Sequence, residues 1–210
     1  MRVMQKFRRD PSFQQLLGAV APLYERNDPA HDLAHALRVT SIAEKIAAEE
    51  GGDLRVILPG ALCHDLGRWE APSHSDANGA FIASLLEGQG YDAEATRKIV
   101  RVVMRHSLRG PTPPETLDEK IVFDADKLES LGAIGIGRCF AVSGSLDQEL
   151  FASQASAVTA QSMLTDHLSR SYDRLHTASA RRLGKTRYAF LMNYIDQLES
   201  ELAVVGVGPR

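Results

Sequence analysis

The chain has 210 residues, of which 44% are hydrophobic, and a formal net charge of -3. That length fits one large domain better than two small ones, and the apolar content excludes a chain that is disordered throughout. The slightly acidic balance provides no general affinity for a nucleic-acid backbone, so we expect no nucleic-acid polymer as a partner.

The amino-terminal stretch and the cysteines indicate the cellular setting. The basic start, MRVMQKFRRDPSF, is not followed by an apolar run, so it does not resemble a secretory signal. No segment approaches the roughly 18 apolar residues of a membrane span. Cys63 and Cys139 lie in apolar surroundings without CxxC spacing, which predicts buried free thiols. We therefore expect a cytoplasmic protein with no membrane contacts.

Helical periodicity dominates the chain. In HALRVTSIAEKIAAEEGG the apolar residues recur at intervals of three and four, and Gly51 is a plausible stop. Asp53 can cap the helix that follows. Further helices are predicted near 74–86, 92–106, 116–131, 146–180 and 184–204.

Signals for strands are weak, because no segment sustains a period of two with turns at hairpin spacing. The glycine-rich LGAIGIGRCFAV lacks a preceding strand, so it favours close helix packing over a dinucleotide-binding loop. We predict one all-α domain over residues 1–210. Its core covers about 28–140, and a helical extension covers about 141–204.

Several ionisable residues continue apolar helical stripes. Residues seven apart on a helix differ by only about 20° in direction, and residues four apart also share a face. The pairs are His35 with Ile42, His64 with Ile57, Asp65 with Leu58, His106 with Ile99, and Asp126 with Val122. The polar member of each pair should therefore point toward the interior.

Burying such groups costs free energy unless they are hydrogen-bonded, ion-paired or bound to a metal. From spacing alone two interpretations stay open: hydrogen-bonded core residues, or ligands that converge on a metal. A mixture of imidazole nitrogens and carboxylate oxygens suits Mn, Fe, Zn or Ni better than Ca.

The order of HALRV, ALCHDLGR and DADKL resembles the HD superfamily of metal-dependent phosphohydrolases. The resemblance to small uncharacterised bacterial HD hydrolases extends over nearly the whole chain and implies a helical bundle. It also implies that His35, His64, Asp65 and Asp126 are metal ligands. Asp124 then has a structural or supporting role.

Further residues match elements found in parts of this superfamily. His74 and His106 match positions that hold a second metal in two-metal members, with Asp65 as the bridge; in one-metal members they would line the pocket. Arg68 occupies a position where relatives carry a phosphate-contacting lysine, and where HD-type 5′-nucleotidases carry an acid. Lys127 is a second candidate for contacting phosphate.

A second His-Asp pair, His31-Asp32, lies just before His35. Asp32 with His35 three residues later fits a helix cap, so we assign this pair a structural or pocket-rim role. His167 and His176 match no motif position, and we expect them at the surface or in packing.

The resemblance implies hydrolysis of a phosphomonoester, phosphodiester or pyrophosphate bond in a small, nucleotide-like substrate by metal-activated water. The implied cofactor is one or two divalent ions of Mn, Fe, Ni or Co, with Mg or Zn as further options. Two alternatives are a di-iron HD-type oxygenase and a non-catalytic regulatory module that binds a ligand. The sequence identifies neither the substrate nor the oligomeric state.

Overall fold

The computed structural model describes residues 10–67, 75–107, 112–151 and 158–205, and every regular element within them is helical. This confirms the predicted all-α class. The main helices are α1 (Pro11–Val20), α2 (Leu33–Glu50), α3 (Leu54–Cys63), α4 (Asp76–Gly88), α5 (Ala93–Met104), α6 (Leu117–Glu129), α7 (Gly132–Ser145) and α8 (Ala178–Val204).

Contacts divide the chain into two compact units. The described residues of the first lie within Met1–Asn27, His31–Asp126 and His176–Ser179, and those of the second within Asp28–Ala30, Lys127–Leu175 and Ala180–Arg210. That residues 1–210 form a single domain stays a prediction.

In the first unit, the predicted boundaries of α2 and α3 are confirmed. The Asp32 carboxylate accepts a hydrogen bond from the backbone N–H of His35 at 2.7 Å, and α2 ends at Gly51. The Asp53 carboxylate caps α3 by accepting from the N–H of Arg55 at 2.9 Å. Side-chain oxygens of this kind satisfy N–H groups that have no partner within the helix.

Two other helices differ from the prediction at their ends. Helix α4 begins at Asp76, with Ser75 as its cap, and continues to Gly88. Helix α5 begins after its cap Asp92 and ends at Met104, so His106 lies just beyond it.

The predicted helix over 146–180 is wrong. Residues 146–151 and 158–159 are not helical, and Ala160–Arg174 forms short turns of α, π and 3-10 type. Hydroxyl side chains here bond to carbonyls one turn back: Thr165 to Gln161 at 3.2 Å, and Ser169 to Thr165. Bonds of this kind also occur inside the regular helix α2, from Thr40 to Ala36 and from Ser41 to Leu37, so they do not by themselves break a helix. The backbone of Asp147 has a φ of +52°, outside the right-handed helical region, so no helix continues through the start of this segment.

In the second unit, LGAIGIGRCFAV folds as part of α7, which confirms the helical interpretation. Helix α8 begins at Ala178, six residues before the predicted start. Gly184 therefore lies inside α8, and a Cβ there would come within 3.0 Å of Leu128. The guanidinium of Arg187 donates to the Leu128 carbonyl at 2.7 Å.

Among the described residues, no helix is long and apolar enough to cross a membrane. Both cysteines are free and buried, as predicted, Cys63 in the first unit and Cys139 in the second. Burial raises the pKa of the Cys63 thiol to about 12 and that of Cys139 to about 11.

We expect both thiols to resist a disulfide reagent at pH 8 in the native protein, because the thiolate is the reactive form and both pKa values lie well above 8. Labelling of the native protein should run at under about 1% of the rate in guanidinium chloride, where two thiols per chain should react. Native labelling as fast as that of free cysteine would contradict this prediction.

Candidate metal centre

His64 and Asp65 lie in a tight turn directly after α3, where helix carbonyls lose their intrahelical partners. The ring Nδ1 of His64 lies 2.7 Å from the carbonyl oxygen of Ala61. The Tyr24 hydroxyl donates to the Leu62 carbonyl at 2.6 Å. The C-terminal end of α3 is thus closed by one side chain of the turn and one from a preceding segment.

Two asparagine amides hold the rest of the turn. The Asn27 amide donates to the carbonyl of Asp65 at 3.3 Å, and the Asn78 amide donates to that of Leu66 at 2.8 Å. Asn27 also donates to the carbonyl of His31 at 2.7 Å. These bonds orient the backbone from which the His64 and Asp65 side chains project.

The other candidate ligands come from three further segments. His35 lies in the first turn of α2, His106 follows α5, and Asp126 lies in α6. All are buried: His35 is 0% exposed, His106 4% and Asp126 8%. The inward orientation predicted from the helical register is therefore correct for each of them.

These side chains converge. The Nε2 atoms of His35 and His64 are 3.1 Å apart, and they lie 3.4 and 3.2 Å from Oδ2 of Asp65. Oδ1 of Asp126 lies 3.5 Å from Nε2 of His35 and 3.9 Å from that of His64. The other oxygen of Asp65, Oδ1, lies 3.8 Å from Nε2 of His106.

The hydrogen bonds of two rings determine which nitrogen carries the proton. A carbonyl oxygen can only accept, so Nδ1 of His64 must be the donor to Ala61, and Nδ1 of His106 must donate to Val103 at 2.6 Å. In the neutral rings each Nε2 then presents a lone pair toward the carboxylates. Lone pairs and carboxylate oxygens that face one another in a buried site repel, and a bound cation removes this repulsion.

The spacing fits such a cation. Bonds of about 2.1 Å to a transition metal place neighbouring ligand atoms about 3.0 Å apart at 90° and about 3.4 Å apart at 109°. The observed separations from 3.1 to 3.9 Å lie close to that range. Two groups of residues could hold an ion: His35, His64 and Asp126, and His64, Asp65 and His106.

The structure brings together five of the eight predicted site residues: His35, His64, Asp65, His106 and Asp126. Arg68 and His74 lie outside the described residues. Lys127 follows Asp126 in α6 and is 9% exposed.

Asp124 has the structural role that the sequence favoured. Its carboxylate accepts from the N–H of His176 at 2.8 Å, and from the N–H and hydroxyl of Thr177, both at 2.7 Å. Burial raises the pKa of this carboxyl, and the three hydrogen bonds oppose that rise. His176, expected at the surface or in packing, is exposed and its ring lies 4.9 Å from that of Phe123.

Sequence reasoning missed the residues that hold the turn, namely Tyr24, Asn27 and Asn78. Asn27 stands in a segment typical of turns, NDPAHD, and Asn78 in the first turn of α4, where asparagine usually reflects local capping. Nothing in either pattern indicates a hydrogen bond to a backbone carbonyl 38 or 12 residues away.

Comparison with known proteins now adds the family. Residues 32–131 match the model of the HD domain, and these residues contain all five converging side chains. These residues form an HD domain.

Relatives match the chain along most of its length. YpgQ of Bacillus subtilis is 28% identical over 193 residues, covering 90% of this chain and 93% of YpgQ. The crystal structure of YpgQ in complex with ADP has a TM-score of 0.74, with 27% identity over 90% of this chain and 97% of that one.

Two further structures are similar. The Lin1889 protein of Listeria innocua has a TM-score of 0.73 and 29% identity, covering 93% of this chain and 99% of that one. A predicted HD-superfamily hydrolase from an uncultured Thermotogales bacterium has a TM-score of 0.65 and 26% identity, covering 96% and 99%. The chain therefore has the fold of HD-superfamily hydrolases, with His and Asp groups that could hold a metal.

Gly67 ends the turn that follows His64 and Asp65 with a φ of +77°, and a Cβ there would clash with the amide nitrogen of Asn78. We expect Gly67→Ala to lower the free energy of unfolding by about 2 kcal/mol, through backbone strain and loss of the Asn78 bond. Denaturant unfolding of this variant measures the loss.

Gly18→Ala is the matched control, because a Cβ at that helical position meets nothing within 4 Å. It should leave stability unchanged or raise it slightly. Equal stability of the two variants would contradict the proposed strain at Gly67.

Proposed function

We propose that the protein is a metal-dependent phosphohydrolase that cleaves a phosphomonoester, phosphodiester or pyrophosphate bond in a small nucleotide. The observation that carries this proposal is the contact between the Nε2 atoms of His35 and His64, at 3.1 Å in a buried cluster with two carboxylates. The HD domain over residues 32–131 supports the same class of reaction.

In this proposal, His35, His64, Asp65 and Asp126 would hold the first ion. Asp65 and His106 would hold the second, with His74 added from the sequence prediction. The two oxygens of Asp65 face different imidazoles, which is the arrangement that a bridging carboxylate needs. This donor set suits Mn, Fe, Ni or Co, with Mg and Zn as further options.

The side chains of the protein orient the ligands and bind the phosphate of the substrate. When bound, a divalent ion supplies an activated water near neutral pH and stabilises negative charge on the phosphoryl oxygens. The hydrogen bonds to Ala61 and Val103 hold the imidazoles of His64 and His106 in the tautomer that binds cations. Arg68 and Lys127 are the residues that we assign to neutralising the phosphate of the substrate.

A nucleotide is the proposed substrate because YpgQ, a relative over most of the chain, has been crystallised with ADP. The aromatic ring of Trp69, next to Arg68 in the sequence, is a candidate for stacking on a base, although packing is its simpler role.

Purified protein should contain divalent metal, and it should release phosphate from some members of a panel of nucleotides and dinucleotides when Mn, Fe, Ni, Co or Mg is added. His64→Ala and Asp126→Ala should each lower metal content and lower kcat/KM by at least about a hundredfold, because removing a ligand costs more than removing its supporting residue. Elemental analysis and phosphate release measure the two effects.

His167→Ala is the matched control for these variants, because it removes an exposed imidazole that is not among the five converging residues. Its metal content and activity should equal those of the wild type. Full activity in His64→Ala would overturn the proposal. So would iron-dependent oxygen consumption without phosphate release, which would identify an oxygenase instead.

A further inference from the structure

A buried carboxylate on α6 forms a clamp with the last turn of α5. Glu119 is 1% exposed, and its Oε1 accepts from Nε of Arg101 at 3.0 Å. Its Oε2 lies 3.6 Å from Nη1 of Arg105. Arg101 lies in the last turn of α5 and Arg105 is the residue directly after its end, and both meet the same carboxylate.

The loop before α6 joins the same clamp. Oε2 of Glu119 accepts from the N–H of Glu115 at 2.7 Å and from that of Thr116 at 3.2 Å. Arg105 also pairs with Glu115 at 3.0 Å and donates to the carbonyl of Pro113 at 3.0 Å. Burial would raise the pKa of Glu119, but these hydrogen bonds hold it below its usual value, so the carboxylate stays ionised.

The clamp joins the two segments that carry His106 and Asp126. His106 follows Arg105 directly, and its ring is tied by Nδ1 to Val103 in the same last turn of α5. Asp126 lies seven residues after Glu119 on α6, about 10.5 Å along the axis and almost on the same face. Glu119 therefore joins the helix that carries Asp126 to the helix end that carries His106.

We infer that Glu119 is a positioning residue: through Arg101 and Arg105 it holds His106 opposite Oδ1 of Asp65, and it thereby determines whether a second metal ion binds. This inference rests on the proposed function, since it assumes that the cluster binds metal. Residues that orient metal ligands typically contribute ten- to a hundredfold to affinity, on the order of what we expect here.

The test is a titration of the metal-free protein with Mn²⁺. Calorimetry measures the affinity of each ion, and electron paramagnetic resonance reports whether two bound ions are coupled. Glu119→Gln keeps the size and one acceptor oxygen but removes the charge. The first ion should bind with unchanged affinity and the second at least about tenfold more weakly. The resonance spectrum should change from that of a coupled pair of ions to that of an isolated ion.

A second variant keeps the inference testable if Glu119→Gln unfolds. Arg105→Met retains the aliphatic stem, leaves the Arg101 pair intact and removes one arm of the clamp. Arg105→Met should also lower the affinity for the second ion.

Glu94→Gln is the matched control. Glu94 forms an exposed ion pair with Lys98 at 2.7 Å on α5, so the variant makes the same charge change outside the clamp. It should bind both ions as the wild type does.

The inference would be overturned if Glu119→Gln and Arg105→Met bound the second ion with unchanged affinity. It would also be overturned if these variants lost affinity equally for both ions. A wild type that binds one ion would overturn it while leaving the proposed function in place. A wild type that binds no metal would overturn both.

Discussion

The site depends on the convergence of polar side chains in a buried position: two imidazole Nε2 atoms lie 3.1 Å apart and face the oxygens of Asp65 and Asp126. The Nδ1 atoms of His64 and His106 donate to backbone carbonyls, so in the neutral rings their Nε2 atoms carry lone pairs. Repulsion between these lone pairs and the carboxylate oxygens is offset either by a proton on Nε2 or by a cation. A cation resolves it, since all the facing atoms are donors of electron pairs. Hydrogen bonds hold this arrangement in place, some within one turn, such as His64 to Ala61, and others across 38 residues, such as Asn27 to Asp65.

Several hydrogen bonds stabilise the turn over residues 64–67, which carries His64 and Asp65. Tyr24, Asn27 and Asn78 satisfy the carbonyls that the end of α3 leaves without partners, and they orient the backbone of His64 and Asp65. Asp124 fastens the segment at Thr177 to the helix that carries Asp126. Glu119, nearer the start of the same helix, meets Arg101 and Arg105 at the end of α5. None of these groups is itself a candidate ligand.

The parts of the fold that could be predicted are those governed by local rules. The caps Asp32 and Asp53 lie where an acceptor side chain meets the start of an apolar period, and α2 and α3 formed accordingly. The inward direction of His35, His106 and Asp126 followed from helical geometry alone. The prediction of a helix over 146–180 was wrong because an apolar period does not show where the backbone leaves the helical region, as it does at Asp147 with a φ of +52°. The apolar pattern carries no signal for that change of conformation.

The sequence by itself determined the all-helical class, the caps of α2 and α3, and the side chains that would face inward, because each follows from interactions within a few residues. The HD motif added the superfamily. Only the tertiary structure decided which inward groups meet, which oxygen of Asp65 faces which imidazole, and which distant side chains hold the turn. The physical reason is that a contact such as Asn27 with Asp65, across 38 residues, depends on how helices pack and leaves no periodic trace in the chain.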